Sequence, residues 1–261
     1  VATRLAEVTV VKIGGSTLGS HDTTIEDVVS LQKQGRWLVV VHGGGKLITE
    51  WLKKQGVTTR TVRGERVTDA ATLDVVTAVL AGLVNKQLVA DINRRGGKAV
   101  GISGVDACLV QSRIKDKELG YVGEVVAVDT AFLTVLLQAG YVPVLATVSF
   151  NTDKSGPGLL NVNADAVAGE IAAAIGAARL VFLTDVPGIL DKQGKLLSQL
   201  SSEAARELVA SGVASGGMIP KVNACLRAVS GAGTTCIIDG REPHALLREI
   251  QSGNVGTRIR R

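Results

Sequence analysis

Aromatic residues are scarce in this chain of 261 residues, which has two Trp, two Tyr and three Phe. That is too few for the stacking platforms on which single-stranded nucleic acids are read. Cysteines (Cys108, Cys225, Cys236) and histidines (His21, His42, His244) number three each, lie far apart and follow no metal-ligand spacing. Neither a zinc site nor a disulfide framework is expected, and free thiols in a reducing, cytoplasmic compartment are the simplest reading. No secretory pattern opens the chain, because Arg4 and Glu7 interrupt its first apolar segment. The absence of Met at position 1 reads as a processed or trimmed start. No membrane-spanning helix is expected.

What is present points to a globular protein with a large core. Hydrophobic residues make up 46% of the chain and charged residues 20%, which excludes disorder. The 31 glycines are well above the usual share of ~7% and sit mostly between apolar runs. The formal net charge is +5, with basic and acidic residues interspersed. This suits attraction of small polyanions or an ordinary solvated surface, and not a nucleic-acid partner.

Short β-branched runs alternate with longer helical patterns. Strands are expected at 8–13, 37–42, 99–103, 142–147, 180–184 and 235–239, most of them continuous apolar runs covered on both faces. Helices are expected at 25–34, 46–55, 70–94, 130–139, 164–175, 202–210, 219–230 and 244–251. The alternation predicts an α/β fold, a three-layer α/β/α sandwich around a mainly parallel sheet. Two apolar stretches flanking 115–120 read as an inserted hairpin, and Gly194 marks a tight turn within 191–195. If two lobes exist, the division falls at Gly176. In the long helix 70–94, capped by Thr68 or Asp69, one stripe is formed by Leu73, Val76, Leu80, Leu83, Leu88 and Ile92. Val75 and Val79 add a second apolar face, covered within the monomer or by a second subunit.

Ligands of open α/β sheets collect at the carboxyl ends of strands, where four segments stand out. Lys12-Ile13-Gly14-Gly15 follows the first strand, and His42-Gly43-Gly44-Gly45 follows the second and opens a helix. Consecutive glycines let backbone N–H groups approach an anion, and a helix N-terminus adds positive potential. Each cluster alone reads equally well as a ligand-free turn; two on neighbouring strand ends favour phosphate. Asn161-Val162-Asn163-Ala164-Asp165 leads into a helix, where Asp165 alone would read as a cap. Gly217-Met218-Ile219-Pro220-Lys221 places a lysine near a helix start, against the dipole, unless an anion or carboxylate compensates it. The Walker A, dinucleotide-binding, nucleophile-elbow and HExxH patterns are absent.

These segments resemble the amino acid kinase family. So do residues 64–69, 82–86, 100–106, 120–125, 183–190 and 256–257, in the same order along essentially the whole chain. The likeness is greatest to members that phosphorylate the side-chain carboxylate of N-acetyl-L-glutamate in arginine biosynthesis. It implies that Lys12 and Lys221 flank the transferring phosphoryl and that Asp165 orients both. It assigns backbone N–H groups of Gly14, Gly15 and Gly44 to the γ-phosphoryl. Arg66, Asn161, Asn163, Gly44 and Gly45 fall to the acceptor, and Thr184, Asp185, Gly188, Met218 and Lys221 to ATP. Magnesium is expected on ATP oxygens without a protein ligand. Residues 1–176 would form the acceptor and dimer lobe, with 70–94 as the interface helix of a homodimer, and 177–261 the ATP lobe. The resemblance also admits a PII-type signalling partner, without residues that argue for one. Arginine-inhibited members carry an extra N-terminal helix; only seven residues precede Val8 here, so strong arginine feedback is not expected. Relatives acting on carrier-bound 2-aminoadipate or glutamate carry HGGS-like and NTDGD-like segments and fit less well. A non-catalytic sensor on the same fold would be signalled by loss of a lysine or of the aspartate, and all three are present.

Overall fold

The computed structural model describes residues 7–14, 23–154 and 156–261. Its elements begin with β1 (Thr9–Ile13), α1 (Thr24–Lys33), β2 (Leu38–His42), α2 (Gly45–Lys54), the short strands β3 (Thr61–Val62) and β4 (Glu65–Arg66), and the long helix α3 (Ala70–Arg94). They continue with β5 (Ala99–Gly104), β6 (Val110–Ile114), β7 (Val122–Val128), α4 (Ala131–Gln138), β8 (Val142–Asn151) and β9 (Leu159–Val162). After them come α5 (Ala164–Ile175), β10 (Arg179–Thr184), β11 (Gln199–Ser201) and α6 (Ser202–Ala210). The chain closes with α7 (Met218–Val229), β12 (Thr234–Asp239), α8 (Ala245–Gln251) and β13 (Thr257–Arg260).

Among the described residues, eleven strands form one sheet with β1 in its middle. β1 pairs in parallel with β2 on one side and β10 on the other, and further parallel pairs join β10 to β12 and β2 to β8. Side chains of a strand alternate between faces, and both faces of β1 are apolar. Val8 and Val10 enter one core, with Leu133 of α4, Val167 of α5, Ala205 of α6 and Val222 of α7. Val11 and Ile13 enter the other, with Val28 of α1, Ile48 of α2, Val76 of α3 and Leu246 of α8. The three-layer α/β/α architecture follows from that double burial, as the continuous apolar runs predict. The same alternation fixes Lys12: it shares the parity of Val8 and Val10 and faces the layer holding α5 and α7.

The predicted hairpin is β6–β7, antiparallel, and the Gly194 turn closes through Asp191 N–H donating to Lys195 O at 2.9 Å. Sequence patterning misses β3, β4, β9, β11 and β13. All are four residues or fewer, too short for a period to declare itself. The long helix departs from the expected stripe. Asp69 caps it, accepting from Thr72 N at 2.8 Å. Residues Ala78–Val84 then wind as a π-helix, and Leu83 turns outward, 44% exposed, while Leu80 and Val84 remain buried. The wider turn changes the angle per residue, so a stripe drawn at 3.6 residues per turn loses phase there. By length and composition α3 could cross a membrane; here Val75, Val76, Val79, Leu80, Leu88 and Ile92 pack into the second core. Gly176 ends α5 in the left-handed conformation (φ 66°), and the sheet runs on across it.

Candidate active site

Two helices bring their first turns to the end of β1. α5 is capped by Asn163, whose Oδ1 accepts from Asp165 N (2.9 Å) and Ala166 N (3.2 Å). α7 crosses α5 closely, because Gly169 meets Ala224: a Cβ on Gly169 would stand 2.8 Å from Ala224 O. Asp165 lies one turn before Gly169, and Lys221 nearly one turn before Ala224, so the crossing sets the two side chains against each other.

There Asp165 stands between the lysines. Lys12 Nζ lies 2.7 Å from Oδ1, and Lys221 Nζ donates to Oδ2 at 3.1 Å and to Gly217 O at 3.2 Å. The Lys12 contact is an ion pair off the hydrogen-bond axis, so Oδ1 takes no directed hydrogen bond. Lys12 and Asp165 are buried, and Lys221 is only partly covered. Two ammonium groups against one carboxylate leave a surplus positive charge at a strand end. That resolves the lysine set against the α7 dipole: Asp165 compensates it, and an anion would complete it.

Backbone amides stitch the neighbouring strand ends together. Gly14 N–H donates to Leu183 O and Gly43 N–H to Ile13 O, each at 3.3 Å. The Gly14 amide thus continues the β1–β10 ladder. Gly44 precedes α2 and Gly45 begins it, where the first amides of a helix have no intrahelical partner. A Cβ on Gly44 would come within 2.8 Å of Leu80 Cδ2, so the π-helical segment forms the floor of this loop. Gly15 lies outside the described residues. Beside the loop, His42 is fully buried; its Nδ1 meets Gly43 O at 3.1 Å and its Nε2 meets Asn85 Nδ2 at 3.2 Å. The amide donates to Nε2, which assigns the ring proton to Nδ1. Burial pushes the His42 pKa down to about 4, opposed in part by the bond to Gly43 and assisted to a smaller extent by the Lys12 and Lys86 charges. Sequence reading passed over this histidine and Asn85 as elements of motifs.

Arg66, Asn161 and Asn163 line one cavity of about 140 Å³ with Gly64, Glu65 and Val122. Arg66 donates to Thr49 Oγ1 at 2.7 Å and to Gly45 O at 3.2 Å, with Thr59 Oγ1 at 3.5 Å. These acceptors are neutral, and among the described residues no carboxylate forms an ion pair with Arg66. Burial pulls its pKa below the usual arginine value, so a carboxylate arriving in the cavity would find an uncompensated guanidinium. A larger hollow of about 770 Å³ shares Gly64, Glu65 and Asn163 and reaches Gly217 and Pro220 beside the lysine pair.

The nucleotide-side residues are less clearly gathered. Thr184 ends β10 buried, its hydroxyl shared between Val186 O (2.9 Å) and Ile238 O (3.1 Å), and Asp185 is exposed beside it. Gly188 is held by packing: at φ 146° a Cβ would sit 2.6 Å from Thr257 Oγ1. Met218 opens α7 half-buried against the first core. A third hollow, of about 700 Å³, between 191–193 and α6 contains none of the predicted residues.

The sequence model of the amino acid kinase family matches residues 7–239. The chain is 51% identical over 255 residues to an acetylglutamate kinase of Dehalococcoides mccartyi, covering 97% of this chain and 94% of that protein. It superposes on the crystal structure of smu.665 from Streptococcus mutans with a TM-score of 0.83 and 28% identity, covering 98% and 99% of the two chains. Carbamate kinase from Giardia lamblia bound to AMP-PNP shares the fold alone, with a TM-score of 0.72, 16% identity and 98% of each chain covered.

Proposed function

The chain belongs to the amino acid kinase family, and on that premise we propose that it transfers the γ-phosphoryl group of ATP to the side-chain carboxylate of N-acetyl-L-glutamate. The product is N-acetyl-L-glutamyl 5-phosphate, in arginine biosynthesis. The observation that carries the reading is the convergence of Lys12 and Lys221 on Asp165, in a chain half identical to a protein named for that reaction.

An acceptor carboxylate is ionised at neutral pH, so no general base is required. Its oxygen attacks the γ-phosphorus, and the bond to the bridging oxygen breaks with its electron pair leaving on ADP. Lys12 and Lys221 neutralise charge spreading over the phosphoryl oxygens, and Asp165 holds both ammonium groups before substrate arrives. Gly44, just before α2, supplies its amide to the same oxygens, and Gly45 lies on the acceptor side. Arg66 pairs the acceptor's α-carboxylate, for which a planar fork suits better than a point charge, and Asn161 and Asn163 take its acetamido and main-chain portion. Thr184, Asp185, Gly188 and Met218 line the nucleotide side with Lys221. Both oxygens of Asp165 already face ammonium groups, so we assign magnesium to ATP oxygens and water.

On this reading residues 1–176 carry the acceptor and 177–261 the nucleotide. The outward side of α3, where Leu83 is exposed, joins two copies in a cytoplasmic homodimer. Hydroxylamine trapping tests the activity: ATP, magnesium and acetylglutamate together should yield an acyl hydroxamate. Free glutamate and aspartate should yield far less. No ATP-dependent product with acetylglutamate would reject the proposal.

A further inference from the structure

Thr68 has no exposed surface, and its hydroxyl does not cap the helix that follows. Thr68 Oγ1 donates to Arg66 O at 3.1 Å and accepts from Asn161 Nδ2 at 3.0 Å. The two bonds fix each other's direction. With its single proton on Arg66 O, the hydroxyl has only lone pairs to offer Asn161, so the amide must present its NH₂ group there. Asn161 is left with Oδ1 and one N–H for the 140 Å³ cavity that it shares with Arg66.

The backbone repeats this link. Tyr121 N–H donates to Thr68 O at 2.7 Å, and Asn161 N–H donates to Tyr121 O at 3.0 Å. Gly120 makes the approach feasible: at φ 68°, a Cβ there would stand 2.4 Å from Thr68 O. Residues 68, 120–121 and 161, distant in sequence, therefore form one rigid wall. The Thr68 side chain is the polar connection across it from the strand bearing Arg66 to Asn161.

We propose that Thr68 is a positioning residue for the acceptor, its hydroxyl holding the Asn161 amide in one orientation and fixing its distance from Arg66. It touches no substrate; it determines what Asn161 offers. This inference rests on the reading of the cavity as the acylated amino-acid site.

The test measures acyl phosphate formation while acetylglutamate and ATP are varied separately in the wild-type protein, Thr68→Val and Thr68→Ser. Thr68→Val keeps the shape but strands Arg66 O and the Asn161 amide, and the KM for acetylglutamate should rise about tenfold, the scale of a lost buried hydrogen bond. The KM for ATP should stay within about twofold, since no ATP group depends on that bond. Thr68→Ser restores the hydroxyl without the methyl and should return the acetylglutamate KM to near the wild-type value. An unchanged acetylglutamate KM in Thr68→Val would overturn the proposal while leaving the kinase reading intact. So would Thr68→Ser with a raised KM, which tests the hydroxyl even if the valine variant fails to fold. A wild-type protein inactive on acetylglutamate would overturn both.

Discussion

Replacing Asp165 by Asn removes one charge and almost no volume, and it tests the lysine pair directly. The cap of α5 survives, because Asn163 bonds the backbone of residue 165 and not its side chain. Lys12 and Lys221, at 2.7 and 3.1 Å from the two carboxylate oxygens, then face an uncharged group. Removing one partner from a buried ion pair costs about 3–5 kcal/mol. The lower end applies, since Lys221 is partly solvated and keeps Gly217 O. A loss of about 3 kcal/mol lowers the Tm by roughly 6–12 °C for a chain of this size. Turnover should fall at least ~10²-fold as the ammonium groups lose their alignment. Nucleotide affinity should hold or improve, because the site gains net positive charge. ATP should therefore raise the variant's Tm more than that of the wild type, its phosphates supplying the missing anion. Differential scanning fluorimetry with and without ATP, beside the hydroxamate assay, reads all three. Unchanged stability in Asp165→Asn, or turnover within tenfold of the wild type, would refute the reasoning.

Three further outcomes follow from geometry already described. Arg66→Lys should raise the KM for acetylglutamate about tenfold or more, because a point charge cannot replace a fork; a variant altered only in its KM for ATP would contradict that placement. His42 takes a proton only near pH 4 when folded, against about 6.5 unfolded, so the unfolded chain binds the proton first as the pH drops. Its contribution, on the order of 3 kcal/mol, is complete above pH ~6.5 and lost as the pH falls towards 4. Denaturant titrations of His42→Gln should show a shallower acid limb than the wild type, and an identical slope would contradict the assignment. Of the three thiols, Cys108 is exposed, whereas burial pushes Cys225 up to about 12 and raises Cys236, which Glu249 also opposes. A disulfide reagent should titrate one thiol in the folded protein and all three in denaturant; rapid labelling of more than one would show the core to be open.

The sheet's central strands were legible because parallel strands buried on both faces write themselves as nearly continuous apolar runs, as 37–42 and 180–184 do. Lys12 could be read as a site residue because it opens a glycine-rich segment at the strand's ligand-binding end. Position alone did not place Asp165 beside it: that depends on the crossing of α5 over α7 at Gly169 and Ala224, a contact with no local sequence signature. The hairpin 61–66 escaped notice because two-residue strands have no period. Thr68 and Asp69 read equally well as the cap of the long helix; the fold gives that role to Asp69 and turns the Thr68 hydroxyl to residues 66 and 161. The π-helical turn likewise obeys packing against the glycine loop and leaves no mark in the helical pattern.

The position of β1 bears on the order in which a growing polypeptide can be finished. One edge of that strand finds β2 within the next 30 residues, but the other waits for β10, more than 160 residues further along. A ribosome-bound intermediate therefore carries a greasy strand with an open edge through most of synthesis, the kind of edge that recruits wrong partners. Lys12 gains its counterion only when α5 emerges, shortly before β10, and the second ammonium group arrives later still with α7. Fragments ending before β10 should accordingly aggregate rather than persist as a functional half.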